Sequence, residues 1–162
     1  MNTATQNAVD VKSIGIGEYY VAAAPERIRT VLGSCIGIAL FDRKAKLGAL
    51  AHIILPSSAE GSGARGKFAD TAIDDMVQQL LEKGALKHRI TAKLAGGARM
   101  FGTGSQSDLG QRNADAAIAA LKKHGIATLA TDLGGTSGRK VTFWTTEGIY
   151  EVQIIGQKPR TI

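Results

Sequence analysis

Two apolar runs, "CIGIALF" at 35–41 and "KLGALAHIIL" at 46–55, are separated only by "DRKA", and this spacing leaves the chain little choice locally. Two β-prone runs joined by a four-residue connection read as an antiparallel hairpin, and Pro56 ends the second run. If Phe41 pairs with Lys46 across a turn at 42–45, Cys35 falls directly opposite His52. Opposed residues share a face of the sheet with Cβ atoms about 4.5–5.5 Å apart, whereas a slip of one residue separates them. The hairpin therefore frames two readings of Cys35. It is either a small apolar filler at the head of a buried strand or a nucleophile with His52 as its base.

The rest of the chain supplies more strands than helices. "SIGIGEYYVAA" and "ERIRTVLG", joined through Pro25, read as short strands, and "RKVTFWTTEGIYEVQII" reads as a second hairpin turning near Glu147-Gly148. Ile73, Met76, Val77, Leu80 and Leu81 recur at helical spacing between Asp70 and Gly84. Ala114, Ala117, Ile118 and Leu121 do the same, with Asn113 as N-cap and Gly125 as the stop. A strand follows each helix, "ITAKLA" and "IATLATDL", and "ADTAI" and "ADAAI" open the helices as a weak internal echo. This pattern predicts an α/β (α+β) layered sandwich, a largely antiparallel mixed β-sheet core flanked by helices. Residues 1–12 read as a loose tail and 13–162 as a single domain.

Composition narrows the functions. Of 162 residues 44% are hydrophobic and 21% charged, which suits an ordinary folded domain. One cysteine cannot form an internal disulfide, and the N-terminal stretch lacks the basic and apolar regions of a secretory signal, so a cytoplasmic setting is expected. No apolar stretch approaches the length of a membrane span, so no membrane insertion is expected. The net charge of +6 fits an acidic partner or a solvated surface. With aromatics at 5%, the stacking platform of a single-strand nucleic-acid binder is missing.

Candidate sites follow from spacing. "GSGARG" at 61–66 matches a dinucleotide fingerprint in letters only: "PSSAE" separates it from the strand and no acidic residue lies about 20 positions beyond. It reads as a flexible loop, and no cofactor is expected. One Cys and three scattered His give no zinc spacing, so no metal is expected either. His124 precedes Gly125 at a helix end and His88 lies between Lys87 and Arg89. A Cys–His pair has a defined chemistry: the thiolate attacks, the imidazole shuttles the proton, and a third group orients the imidazole. Thr30 is the nearest orienting candidate, with Gly33 and Ser34 turning the chain between it and Cys35. An imidazole beside Cys35 would speed its alkylation, and a working thiol should be partly exposed at a pocket edge.

Seven blocks in order, from Ser13 to Ile155, resemble the CheD family of chemoreceptor glutamine deamidases: "GIGEYYVA", "LGSC", "AHIILP", "GKFADTAI", "KLAGGARMF", "LGQRN" and "DLGGTSGRKV". The resemblance implies a Cys-His-Thr site at Cys35, His52 and Thr30. Backbone N–H groups around Ser34 and Cys35, freed by the turn at Gly33, would serve the oxyanion. It implies an α/β sandwich like the catalytic domain of the cytotoxic necrotizing factor toxins. The implied reaction is hydrolysis of glutamine side chains on methyl-accepting chemotaxis receptors through a cysteine thioester, with no cofactor. Receptor methyl esters could use the same acyl intermediate. The implied partners are receptor cytoplasmic helices, with the CheC phosphatase a partner of some members. A non-catalytic adaptor and a cysteine peptidase remain the competing readings.

Overall fold

The computed structural model describes residues 8–100 and 108–162. Among the described residues ten strands form two five-stranded sheets, where the sequence suggested a single sheet. The first sheet orders β1 (Val11–Ser13), β3 (Arg27–Leu32), β8 (Arg139–Trp144), β9 (Ile149–Ile154) and β10 (Arg160–Thr161). The second orders β2 (Tyr19–Ala23), β5 (Leu47–Ile53), β4 (Ile36–Asp42), β6 (Ile90–Gly96) and β7 (Ala127–Leu133). Only β1–β3 and β6–β7 pair in parallel, so the strands form the largely antiparallel mixed arrangement expected of an α+β sandwich.

Strands β4 and β5 are buried along their whole length because the second sheet is covered on both faces. Ile36, Ile38, Leu40, Ala49, Ala51 and Ile53 pack against the helices α1 (Ala69–Glu82) and α2 (Leu109–Lys123). Ala39, Phe41 and Leu50 point the other way, against Ile28, Leu32, Val141, Phe143, Tyr150 and Val152 of the first sheet. Burial on both faces explains why the two runs read as nearly continuous apolar stretches instead of alternating ones. Sheet contact also needs room: a Cβ on Gly37 would lie 2.3 Å from the Tyr150 hydroxyl oxygen, which donates to the Gly37 carbonyl at 3.1 Å.

Both helices cover the sheet with the small and aliphatic face that periodicity indicated, although Leu81 and Ile118 point outward. Gly84 and Gly125 follow the helices at φ +109° and +70°. The second hairpin turns through 145–148, as expected. The loop "GSGARG" is more structured than its composition suggested. Residues 65–67 form a short 3-10 turn, and Arg65 clamps Asp75 of α1 through Nε and Nη2 at 2.8–3.0 Å. Among the described residues no helix is long and apolar enough to cross a membrane.

Candidate active site

The β4–β5 hairpin forms, but its register is displaced by two positions from the sequence expectation: Asp42 pairs with Leu47, and Gly37 rather than Cys35 lies opposite His52. The cause is Asp42, which the sequence placed in the turn. It belongs to the strand, fully buried, and its Oδ1 accepts from the N–H groups of Lys44 and Ala45. Arg89 adds an ion pair at 3.0 Å, so the turn moves to 43–46. A two-residue displacement preserves face parity. Cys35, two residues ahead of Gly37, is buried with Leu32, Ala39 and Leu50 in the cluster between the sheets, the side that His52 also faces.

Thr30 comes from the opposite sheet. Its hydroxyl donates to the Ile14 carbonyl at 2.9 Å and lies 2.7 Å from His52 Nδ1. Because the hydroxyl proton is committed to Ile14, the oxygen can only accept from His52. Nδ1 therefore carries the imidazole proton. Nε2 is left as a bare lone pair, buried and without a hydrogen-bond partner. The backbone fixes the ring as well: Gly17 donates to the His52 carbonyl at 2.8 Å and His52 donates to the Glu18 carbonyl at 2.9 Å. The two outer partners, the Ile14 carbonyl and the 15–18 turn, are backbone features that no side-chain pattern announces.

Electrostatics set the resting state. Burial pushes the His52 pKa down to about 4, with the Glu18 carboxylate opposing, so the imidazole is neutral near pH 7. Burial pushes the Cys35 thiol above its ordinary value, only partly offset by its own backbone N–H. Cys35 as a residue is only 8% exposed, which corrects the expectation of a partly exposed, activated thiolate. At rest the pair is a thiol and a neutral imidazole. Alkylation of Cys35 by iodoacetamide should therefore be slower than that of an unhindered thiol at pH 7.5, and should accelerate as pH rises beyond 9. Mass-spectrometric rates between pH 6 and 10 check this, and a fast, pH-independent reaction would mean a preformed ion pair.

Gly33, Ser34 and Cys35 form the bend that joins β3 to β4. Ala98 donates to the Gly33 carbonyl at 3.0 Å and Gly97 donates to the Cys35 carbonyl at 2.9 Å, so the end of β6 straps the bend. Gly96 makes this approach possible: at φ +110°, its Cβ would fall 2.2 Å from the Cys35 oxygen. Gly96→Ala should cost about 2 kcal/mol or more and loosen the bend, through both the collision and the left-handed backbone. Thermal unfolding measures it, and an unchanged melting temperature would contradict the strap. Asn113, read from sequence as a helix cap, is instead the fifth residue of α2, fully buried. Its Nδ2 donates to the Ile54 carbonyl at 3.1 Å and reaches the Ser34 carbonyl at 3.4 Å.

The other histidines stay away from this cluster. His88 is exposed in a 3-10 turn, and His124 Nε2 lies 2.6 Å from Asp74 Oδ1 at the end of α2. Among the described residues no group of His, Cys, Asp and Glu could hold a metal ion. A groove lined by Ile14, Ile16, Thr30, Val31 and His52 opens beside the imidazole, with Arg29 and Lys140 on its wall; Cys35 is not among its lining residues.

Comparison with known proteins places the chain in a family. Residues 54–154 match the family model described as "CheD chemotactic sensory transduction". A protein of Symbiobacterium thermophilum named "Probable chemoreceptor glutamine deamidase CheD" is 40% identical over 155 residues, covering 91% of this chain and 94% of its own. Proteins of the same name from Clostridium novyi (42%, covering 92% and 96%) and Archaeoglobus fulgidus (43%, covering 83% and 87%) are equally similar. Among solved structures, a Neisseria meningitidis protein of the DUF152 family aligns with TM-score 0.47 and 13% identity over 79% of this chain and 64% of its own. By the extent and level of the sequence matches, the chain belongs to the CheD family.

Proposed function

We propose that this protein deamidates glutamine side chains of chemoreceptors, with Cys35 as nucleophile, His52 as proton shuttle and Thr30 as the group that orients the imidazole. The carrying observation is the Thr30–His52 hydrogen bond, which commits Nδ1 and leaves the Nε2 lone pair open on the imidazole, whose strand face Cys35 shares. The names of the relatives supply the substrate class.

In this reading the thiol proton passes to Nε2 as Sγ bonds to the amide carbon. The tetrahedral oxyanion then collapses, the C–N bond breaks, and the imidazolium proton leaves with ammonia. Water, deprotonated by the same Nε2, cleaves the thioester to give glutamate and restore the thiol. Starting from a neutral pair couples attack to proton transfer. A site that depresses the imidazole pKa makes the transient imidazolium a stronger acid toward the departing amine. Among the described residues no backbone carbonyl accepts from the N–H of Ser34 or of Cys35, and this reading assigns both to the oxyanion. A receptor methyl ester would pass through the same thioester. Neither a CheC partner nor a cytoplasmic setting alters this chemistry.

Incubation with a receptor cytoplasmic fragment, followed by peptide mass spectrometry, should show gains of about 1 Da at particular glutamines, the change expected for Gln-to-Glu conversion. Backbone cleavage instead would favour a peptidase, and binding without either change an adaptor. If the net charge of +6 steers an acidic receptor surface, the association rate should fall several-fold between about 0.05 and 0.5 M salt. A salt-independent rate would reduce the charge to surface solvation.

A further inference from the structure

We infer that Asn113 is a positioning residue for the oxyanion step: by holding the Ser34 carbonyl from the helix side, it aims the Cys35 N–H into the site. This rests on the proposed role of Cys35 as nucleophile. The 34–35 bond is trans, so the Ser34 C=O and the Cys35 N–H point in opposite directions. Asn113 lies on α2, which covers the face of the second sheet opposite to the one that carries His52 and packs on the first sheet, where Thr30 lies. With the carbonyl drawn toward α2, the N–H is turned toward the space between the sheets, where no described backbone carbonyl accepts from it.

The orientation of the Asn113 amide is itself determined. Reversing it would set Oδ1 against two carbonyl oxygens, so Nδ2 must face Ser34 and Ile54. Those two carbonyls bracket the chemistry, one just before Cys35 and the other two residues after His52. One side chain thus ties the nucleophile bend to the histidine strand. The cost of keeping it is visible too: Asn113 Oδ1 is buried with no hydrogen-bond partner, in a helix face otherwise made of Gly110, Ala114, Ala117 and Leu121. Such an orphan is disfavoured in a core built for stability alone.

The test separates oxyanion support from general site integrity. Asn113→Leu keeps the branched side-chain shape, at larger volume, and removes the donor, and Asn113→Asp keeps the shape and exchanges the amide donor for a carboxyl that, when charged, only accepts. Each folded variant is assayed for receptor-fragment deamidation and for iodoacetamide alkylation of Cys35, a displacement that forms no oxyanion. The expected result is a kcat lower by about tenfold to a hundredfold, less than the loss of an oxyanion donor outright. KM and the alkylation rate should stay within about twofold of the parent. A wild-type kcat in either folded variant would overturn the inference. So would a parallel fall in kcat and alkylation, which would make Asn113 a general support of the site. A Cys35→Ala control that retains deamidation would instead overturn the nucleophile assignment. If the leucine variant does not fold, the aspartate variant decides by the same two readouts.

Discussion

Cys35→Ala should lower receptor deamidation below detection, a loss of at least about 10³-fold, while leaving the fold intact. The substitution removes one sulfur from a small site beside Ala39 and Leu50, a cavity cost of about 1 kcal/mol, far less than a typical domain stability. His52→Ala should be comparably severe, because nucleophile and base act as a unit and their losses do not add. Thr30→Val separates positioning from chemistry. It removes the Nδ1 acceptor and frees the ring to change tautomer, so kcat should fall by about 10–100-fold without vanishing. The assay is Gln-to-Glu conversion on a receptor fragment, with circular dichroism confirming the fold. Wild-type turnover by Cys35→Ala would end the thioester mechanism. Wild-type turnover by Thr30→Val would pass the orienting role to another group.

The second large effect is on stability. His52 titrates near its ordinary 6.5 when unfolded and at about 4 when folded. Between those values the unfolded chain binds a proton that the folded chain refuses, so falling pH favours unfolding. The contribution is complete above pH 6.5 and is lost progressively as pH falls toward 4, amounting to about 3 kcal/mol. Urea midpoints at pH 7, 5.5 and 4.5 should decline accordingly, and His52→Gln should flatten that slope. Asp42 and Asp70 do not confuse the window. Both are held below the ordinary carboxylate value of 3.8, against their burial, by hydrogen bonds, joined at Asp42 by Arg89; their stabilisation is lost only below it. An equal slope in parent and variant would show that the imidazole is hydrated in the folded state.

How far the sequence carried this reading depends on which interactions are local. The hairpin at 35–55 and both helices were legible because apolar spacing is a property of a few consecutive residues. The stacking of a second sheet was not, since β3 and β8 are separated by more than a hundred residues and pair only in space. Cys35 and His52 could be put on one face despite the wrong register, because displacement by two conserves parity. Asp42 was misplaced since its buried pairing with Arg89 lies 47 positions away. Asn113 resembled a cap because Asn before an Ala-rich helix usually is one. Only tertiary contact with Ser34 and Ile54 reveals its different use.

Thr30 and His52 belong to different sheets, and their hydrogen bond crosses the gap between the layers. This gives the protein a form of self-restraint. A deamidase is surrounded by glutamines on proteins it should leave alone, from the moment its chain emerges. On the assignment above, a chain that has formed its hairpins but not yet stacked them has a thiol and an imidazole without the hydroxyl that commits Nδ1. Its full turnover therefore depends on the two sheets being stacked, and a copy whose layers slide apart loses most of its chemistry along with its shape.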